Sequence, residues 1–238
     1  MKRLGVNIDH IATIRNARGE DHPNIYNAAK FALKCGAHSI TIHLREDRRH
    51  INDKDLKILS SNKKIPINLE LSTNTKMIKI ALKNKPNYIC IVPEKRKEIT
   101  TEGGLNLKNN KRKLKNIIQK FKKKNIRTSL FINPSLNDIL YSKYIGTDCI
   151  EIHTGQISRL IKNNKNYIKE LAKIKNCSKK ANSLGIEVHA GHGMDYKTAK
   201  ILSKIVEIKE FNIGHFIIGE SIFFGLKNTI KNFIKILK

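Results

Sequence analysis

Residues 39–50 read SITIHLREDRRH, an apolar, β-branched run that ends in two histidines and a cluster of charges. The apolar part has the length and composition of a buried strand. Seven similar runs occur elsewhere in the chain, and they are RLGVNID (3–9), PINLEL (66–71), YICIVPE (88–94), RTSLFIN (127–133), CIEIHTG (149–155), EVHAG (187–191) and FNIGHFIIG (211–219). The chain therefore contains eight predicted strands.

Segments with helical periodicity separate these runs and follow the last one. They are IYNAAKFALKCG (25–36), DKDLKILSSN (53–62), TKMIKIALKNK (75–85), LKNIIQKFKKKN (114–125), LNDILYSKYIG (136–146), NYIKELAKIKNCSKKANSLG (166–185), YKTAKILSKIV (196–206) and FGLKNTIKNFIKILK (224–238). Several end in residues suited to a left-handed C-cap, namely Gly36, Asn125, Gly146 and Gly185.

Eight strand–helix units in 238 residues predict a (β/α)8 barrel formed by a single α/β domain over residues 1–238. An open, doubly wound sheet is the alternative. Such a sheet normally has a glycine-rich first turn, whereas the first turn here reads NIDHIATIRNARG (7–19).

Polar residues collect where the predicted strands end. A barrel of this kind buries apolar strand bodies and places its active site at the carboxyl ends of the strands. Burying many ionisable groups without a function is costly, so these residues predict a catalytic mouth. They are Asn7, Asp9, His10, His43, Arg45, Glu70, Glu94, Glu151, His153, His192, Gly214 and His215.

Two features of the strand ends predict an anionic substrate. AGHG (190–193) and NIGH (212–215) place glycines after the seventh and eighth strands, where barrels expose backbone N–H groups to phosphate. Arg18 and Arg45 closely follow strand ends, whereas we interpret the pair Arg48–Arg49 as solvated. Arginine binds phosphate well, so these features suit a substrate with as many as two phosphate groups.

The formal net charge of +27 raises the question of a nucleic-acid partner. Lysine contributes 37 of the 47 basic residues and is spread through segments that are also rich in Asn and Ile, a bias that an AT-rich coding sequence imposes on surface positions. Only 6% of residues are aromatic, and no nucleic-acid-binding motif is present. We therefore expect no specific nucleic-acid partner.

The sequence also predicts a cytoplasmic protein with no membrane partner. No stretch approaches the roughly 20 apolar residues that span a bilayer, and MKRLGVNIDH (1–10) lacks the apolar core of a signal peptide. The four cysteines show neither a CxxC motif nor metal-ligand spacing, which indicates reduced thiols.

The combined motifs resemble those of the pyridoxine 5'-phosphate synthase family of the deoxyxylulose-dependent vitamin B6 pathway. The resemblance covers residues 4 to about 226, and it rests on GVNIDHIATIRNARG, TIHLREDRRHI, NLE, VPEKR, TTEGG, IEIHTG, AGHG and NIGH. It implies a (β/α)8 barrel with extra helices, a homo-octamer, and no metal or organic cofactor. The implied reaction condenses 3-amino-2-oxopropyl phosphate with 1-deoxy-D-xylulose 5-phosphate to give pyridoxine 5'-phosphate, phosphate and water.

The resemblance also implies roles for individual residues. His43 and Glu70 would accept protons, His192 would donate one, and Glu151 would stabilise positive charge on the condensing nitrogen. Contacts to deoxyxylulose phosphate are implied for Asn7, Asp9, His10, Arg45, His50 and Thr100. Contacts to the amino-ketone phosphate are implied for Arg18, Gly193, Gly214 and His215.

The two histidines of residues 43–50 are expected to differ in function. His43 ends a packed strand, which would hold its ring in the mouth. His50 lies beyond several charges, so we expect it in a mobile loop that covers the substrate.

Three alternatives remain open from the residues themselves. A metal-dependent epimerase or hydrolase could use His43, His153, His192 and His215 as ligands. A Schiff-base aldolase would need a lysine near a strand end, and Lys95 is the nearest. A nucleic-acid binder would retain sequence-dependent affinity at moderate salt.

Overall fold

Eight parallel strands form a closed barrel in chain order in the computed structural model, which describes residues 1–94 and 103–238. The strands are β1 (Arg3–Asn7), β2 (Ser39–His43), β3 (Ile67–Leu71), β4 (Tyr88–Ile91), β5 (Arg127–Ile132), β6 (Cys149–His153), β7 (Glu187–Gly191) and β8 (Ile208–Ile213). Because β1 pairs with both β2 and β8, the sheet has no edge. The predicted (β/α)8 barrel is confirmed, and the open doubly wound sheet is wrong.

Eleven helices occur within the described ranges. They are α1 (Asp9–Arg18), α2 (Ile25–Lys34), α3 (Asp53–Ser61), α4 (Thr75–Asn84), α5 (Leu107–Lys122), α6 (Leu136–Ile145), α7 (Gly155–Lys162), α8 (Ile168–Ser183), α9 (Tyr196–Leu202), α10 (His215–Phe224) and α11 (Leu226–Leu237). Helices α1, α7 and α10 follow β1, β6 and β8 closely, and strand and helix patterning did not predict them. They are the extra helices that the family resemblance implied.

The eighth predicted strand was misplaced toward its carboxyl end. FNIGHFIIG (211–219) was taken as strand, but β8 ends at Ile213 and α10 begins at His215. The sequence HFIIGESIFF of α10 is apolar almost throughout, so it shows no helical periodicity that could distinguish it from a strand.

The predicted C-caps are confirmed by backbone geometry. Gly36, Gly146 and Gly185 have φ values of 113°, 82° and 72°, and Asn125 has a φ of 56°. These left-handed conformations end the helices and turn the chain back toward the next strand.

The apolar core lies between the strands and the helices, whereas the inside of the barrel is polar. On β2, Ile40 and Ile42 are fully buried in the apolar core. Between them, Thr41 donates from Oγ1 to Asn212 Oδ1 at 3.2 Å and accepts from Asn68 Nδ2 at 3.4 Å. The expectation of apolar strand bodies therefore holds only for the side chains that face the helices.

Within residues 1–94 and 103–238, every helix is too short or too polar to cross a bilayer.

The four cysteines, Cys35, Cys90, Cys149 and Cys177, are free thiols, and the last three are buried.

Candidate active site

A cavity of about 530 Å³ opens at the carboxyl ends of the strands. The four residues predicted to be catalytic all line it, namely His43, Glu70, Glu151 and His192. Eight predicted binding residues line it as well, namely Asn7, Asp9, His10, Arg45, His50, Gly193, Gly214 and His215. Residues that are far apart in the sequence thus meet in one mouth, because parallel strands bring their carboxyl ends to one end of the barrel.

Two predicted binding residues are not placed in this cavity. Arg18 ends α1 with 79% of its side chain exposed, and it pairs with Glu20 at 3.1 Å. Thr100 lies outside the described residues, as does Lys95, the lysine of the aldolase alternative.

Arg48 and Arg49 lie in different surroundings. Arg49 is exposed, as interpreted, and pairs with Asp47 at 2.6 Å, but it also lines the cavity. Arg48 instead pairs with Asp53 at 2.8 Å on the surface. The chain turns between these two neighbours, since Arg48 has a left-handed φ of 55°, and their side chains therefore diverge.

His43 lies between two carboxyl groups. Its side chain is only 6% exposed, with Nδ1 3.9 Å from Glu70 Oε2 and Nε2 3.5 Å from Glu94 Oε2. The backbone N–H of His43 donates to Asp9 Oδ1 at 2.9 Å. The imidazole is thus held in the mouth, as the sequence predicted, and it can exchange a proton on either side.

Burial raises the pKa of Glu70 well above its usual value, and the negative charges of Glu151 and Asp9 add to this effect. Glu70 therefore holds its proton more tightly than an exposed glutamate does. A carboxyl group of this kind can give up its proton when a neighbouring group demands it and later take one back.

Glu151 is the second perturbed carboxyl group of the mouth. Burial raises its pKa to about 7, although His189 and a hydrogen bond from Asn212 oppose that rise. Asn212 Nδ2 donates to Glu151 Oε2 at 2.7 Å. Gly191 leaves the space for this carboxylate, since a Cβ there would overlap Glu151 Oε1.

The remaining histidines of the mouth form edge or tilted pairs. The ring centroids of His10 and His215 are 5.0 Å apart, and those of His153 and His192 are also 5.0 Å apart. Burial, with the charge of His192, lowers the pKa of His153 to about 4, and burial lowers that of His10 as well. Both rings are therefore neutral at neutral pH.

His50 lies in the loop between β2 and α3, and its side chain is buried. Its side chain is only 11% exposed, and Nδ1 lies 3.8 Å from Asp9 Oδ1 and accepts the Ile51 N–H at 3.0 Å. Asn16 Nδ2 donates to the His50 carbonyl at 2.9 Å. These contacts tie the segment to α1, so His50 is a fixed wall of the cavity.

Two glycines that follow β7 and β8 line the other side of the mouth. His192 and Gly193 have left-handed φ values of 80° and 78°. Gly214 precedes the N-terminus of α10, and a Cβ there would lie 2.8 Å from Asn7 Cβ. A helix N-terminus and left-handed turns are both settings that can bind phosphate, and the anion site expected from AGHG and NIGH stays a prediction.

Several cavity residues had no predicted role. Asn212 stands inside the NIGH motif, and its position two residues before the glycine could have shown that it points into the barrel. Lys162 lines the cavity from α7 and donates from Nζ to the Gly193 carbonyl at 2.9 Å. It was missed because α7 was missed. Glu94 is not among the residues that line the cavity, but it lies 3.5 Å from His43; it was noted at its strand end without a chemical role.

The metal-dependent alternative finds no support in the donor geometry of the mouth. In the part of the chain that the structure describes, only Cys149, Glu187 and His189 bring three possible ligand atoms within 4.8 Å of one another. Cys149 and His189 line a smaller cavity toward the opposite end of the barrel, together with Arg3 and Arg127. Glu187 adjoins this cavity. The mouth histidines stand in pairs rather than in a set of three.

Known proteins are similar to this chain over almost its whole length. A model of the family described as "Pyridoxal phosphate biosynthesis protein PdxJ" matches residues 4–238. A pyridoxine 5'-phosphate synthase of Pelagibacter ubique (strain HTCC1062) is 65% identical over 236 residues, which cover 99% of this chain and 99% of the relative. Another, from Zymomonas mobilis subsp. mobilis, is 49% identical over 229 residues, which cover 96% of this chain and 89% of the relative.

Solved structures show the fold alone. A phosphoribosyl anthranilate isomerase superimposes with a TM-score of 0.59 at 13% identity, and the match covers 100% of this chain and 98% of that one. The family model and the high identity of the full-length relatives show the family as well as the fold. The chain belongs to the pyridoxine 5'-phosphate synthase family.

Proposed function

We propose that the chain condenses 3-amino-2-oxopropyl phosphate with 1-deoxy-D-xylulose 5-phosphate to form pyridoxine 5'-phosphate, releasing phosphate and water. The observation that carries this proposal is the gathering of His43, Glu70, Glu151 and His192 around one cavity, which Gly193 and Gly214 also line. Full-length relatives named for the same synthase support it.

The condensation needs several proton transfers, and each is helped by a positioned group. His43 and Glu70 act as proton acceptors at successive steps. His192 donates a proton to a leaving group. Glu151, ionised above a pH of about 7, stabilises positive charge on the condensing nitrogen.

The two substrates occupy different walls of the cavity. Deoxyxylulose phosphate contacts Arg45 and His50, together with the polar groups that follow β1, namely Asn7, Asp9 and His10. The phosphate of the amino-ketone binds the N–H groups at Gly193, Gly214 and His215. Two further contacts, Thr100 to the first substrate and Arg18 to the second, rest on the family resemblance alone.

The chain acts as a cytoplasmic homo-octamer without a metal or organic cofactor. Support for self-association comes from α10, where Ile222, Phe223 and Phe224 are 72%, 81% and 60% exposed. Three adjacent large apolar side chains on the surface of one chain favour burial against another copy.

The test is to mix the two phosphorylated substrates with the protein and to follow pyridoxine 5'-phosphate by its chromophore. Product formation that survives EDTA supports the proposal, whereas loss of activity in EDTA and recovery with a divalent metal favours the metal-dependent alternative. Borohydride treatment with substrate gives a stable mass adduct on Lys95 only if the aldolase alternative is correct. No product under any condition contradicts the proposed reaction.

A further inference from the structure

Glu94 has a buried position that the proton-transfer scheme does not use. It follows the end of β4, and its side chain is only 2% exposed. Its Oε2 lies 3.5 Å from His43 Nε2, and its Oε1 lies 3.8 Å from Arg45 Nε. The carboxylate therefore stands between the base and an arginine of the substrate site.

We propose that Glu94 is a positioning residue for His43, holding the Nε2–H toward its own carboxylate so that the Nδ1 lone pair faces Glu70 and the substrate. The proposal deepens the proposed function and rests on it. A neutral imidazole carries one N–H, and the partner of one nitrogen decides which nitrogen remains free to accept a proton. A carboxylate is an acceptor only, so it selects N–H at Nε2.

The position of Glu94 is itself fixed by the backbone. Glu46 N–H donates to Glu94 Oε1 at 2.9 Å, which leaves Oε2 to face the imidazole. The segment that carries this N–H is tied down in turn, because the Glu46 carboxylate accepts from Ser72 Oγ at 2.8 Å and from Asn74 Nδ2 at 2.9 Å. The loops after β2 and β3 thus aim the carboxylate at His43.

The charges on the two sides of His43 agree with this assignment. Burial works against ionising Glu94, but its contacts with His43 and with the Glu46 N–H outweigh burial and lower its pKa below the usual value. Burial raises the pKa of Glu70 instead. A carboxyl group with a lowered pKa on the Nε2 side and one with a raised pKa on the Nδ1 side both favour N–H at Nε2.

His43 Nε2 and Glu94 Oε2 are both buried and have no hydrogen-bond partner among the described residues. Their separation of 3.5 Å is longer than an ideal N–H···O bond, which measures about 2.9 Å. Catalytic hydrogen bonds are often long before substrate binds and tighten in the complex. Each of the two buried atoms can therefore serve as the hydrogen-bond partner of the other.

The kinetic test is a double-mutant cycle. Glu94→Gln keeps the side-chain shape but removes the charge, and its amide can donate to Nε2 and so favour the wrong tautomer. We expect kcat to fall on the order of 100-fold in the wild-type background. In the His43→Ala background the same change should cost less than about threefold, because residues that act as one unit are not additive. An equal loss in both backgrounds would overturn the proposal.

Two companion variants separate positioning from general structural damage. Glu94→Asp retains the charge and should recover part of the kcat that Glu94→Gln loses. Asp53→Asn removes a surface carboxylate that pairs with Arg48, and it should leave kcat within about threefold of wild type. Aspartate no better than glutamine would count against a role for the charge.

A neutron crystal structure of the wild-type protein tests the inference without reference to activity. Deuterium on His43 Nε2, facing Glu94, is the expected result. A bare Nε2 would overturn the inference even if the enzyme is fully active. Conversely, a protein that makes no pyridoxine 5'-phosphate but carries deuterium on Nε2 would refute the proposed reaction and not the positioning of His43.

Discussion

Glu70 and Glu151 are carboxyl groups whose burial disfavours ionisation but suits proton transfer. Both are carboxyl groups of the same cavity, and burial raises the pKa of each above its usual range. Perturbed carboxyl groups of this kind cluster at functional sites because proton transfer needs groups that titrate near neutral pH.

Replacement of Glu70 by glutamine should abolish turnover while leaving substrate binding largely intact. The swap keeps the shape of the protonated carboxyl but removes the group that exchanges a proton with His43. We expect kcat to fall about 100-fold or more, since general acid–base groups contribute at least that much. Steady-state kinetics measures kcat, and calorimetry with deoxyxylulose phosphate provides the binding control. More than about a tenth of wild-type turnover would contradict the assignment.

Replacement of Glu151 by glutamine should stabilise the fold at high pH and not at low pH. The native pKa is about 7, whereas an unfolded glutamate titrates near 4.3, so native Glu151 binds protons more tightly. The stability that the protonated carboxyl contributes is complete below about pH 4 and is lost as pH rises to about 7. Glutamine cannot ionise and still accepts from Asn212. The gain in Tm over wild type should therefore be larger at pH 8 than at pH 4.5, and an equal difference at both pH values would refute this explanation.

His43 and His50 should differ in the kinetic constant that they control. His43 stands between Glu70 and Glu94, so His43→Ala should lower kcat. Burial lowers the pKa of His50, and its ring is a neutral wall of the cavity beside Asp9, so His50→Ala should chiefly raise KM for deoxyxylulose phosphate. If His50→Ala costs kcat as heavily as His43→Ala with KM unchanged, the two histidines share one role.

At the scale of the elements, the strands point polar side chains into the barrel and apolar side chains toward the helices. Glycines on two of them make room for large polar side chains from their neighbours. A Cβ at Gly5 of β1 would overlap Asn212 Oδ1, and a Cβ at Gly191 of β7 would overlap Glu151 Oε1. The polar lining of the barrel therefore depends on glycine at these two strand positions, where close approach leaves no space for a side chain.

Gly191→Ala should damage both stability and activity, because the methyl group would displace the Glu151 carboxylate from its bond with Asn212. Gly219→Ala is the matched control, since a Cβ at this position in α10 meets nothing within 4 Å. Alanine there should be neutral or stabilising by about 0.5–1 kcal/mol, the usual gain over glycine in a helix. Thermal unfolding and kcat of both variants provide the measurement. Equal behaviour of the two variants would show that Gly191 has no special requirement.

At the scale of the whole molecule, a strongly basic chain also exposes large apolar side chains. The net charge of +27 disfavours indiscriminate association of copies, so self-assembly needs a specific contact. The exposed side chains Ile222, Phe223 and Phe224 provide such a surface on α10.

Phe223→Asp should therefore reduce the mass of the assembly in solution. The aspartate places a charge where two copies would bury apolar surface, and a buried unpaired charge is costly. Val206→Asp is the control, because Val206 is 71% exposed but lies in the turn before β8, away from α10. Sedimentation velocity on both variants decides the point. Wild-type mass for Phe223→Asp would exclude this surface from the interface.

The sequence by itself determined the class of fold and most of the mouth. Strand-length apolar runs alternate with helical segments, and this local periodicity follows from which face of each element meets the core. The polar residues that end the runs, such as His43, Glu70 and Glu151, could be assigned to one site because parallel barrel strands carry their active site at one end. Glycine and asparagine marked helix ends correctly because a left-handed φ is a local requirement.

Only the tertiary structure decided which charged residues meet. It placed Arg49 and Lys162 at the cavity, Arg18 on the surface and His50 in a fixed wall. It also showed that Glu94 faces His43, across 51 positions of sequence (94 − 43). Local patterns cannot settle such choices, because the direction of a loop side chain depends on contacts with distant segments. The pKa values of Glu70 and Glu151 have the same origin, since desolvation and neighbouring charge exist only after the strands have closed into a barrel.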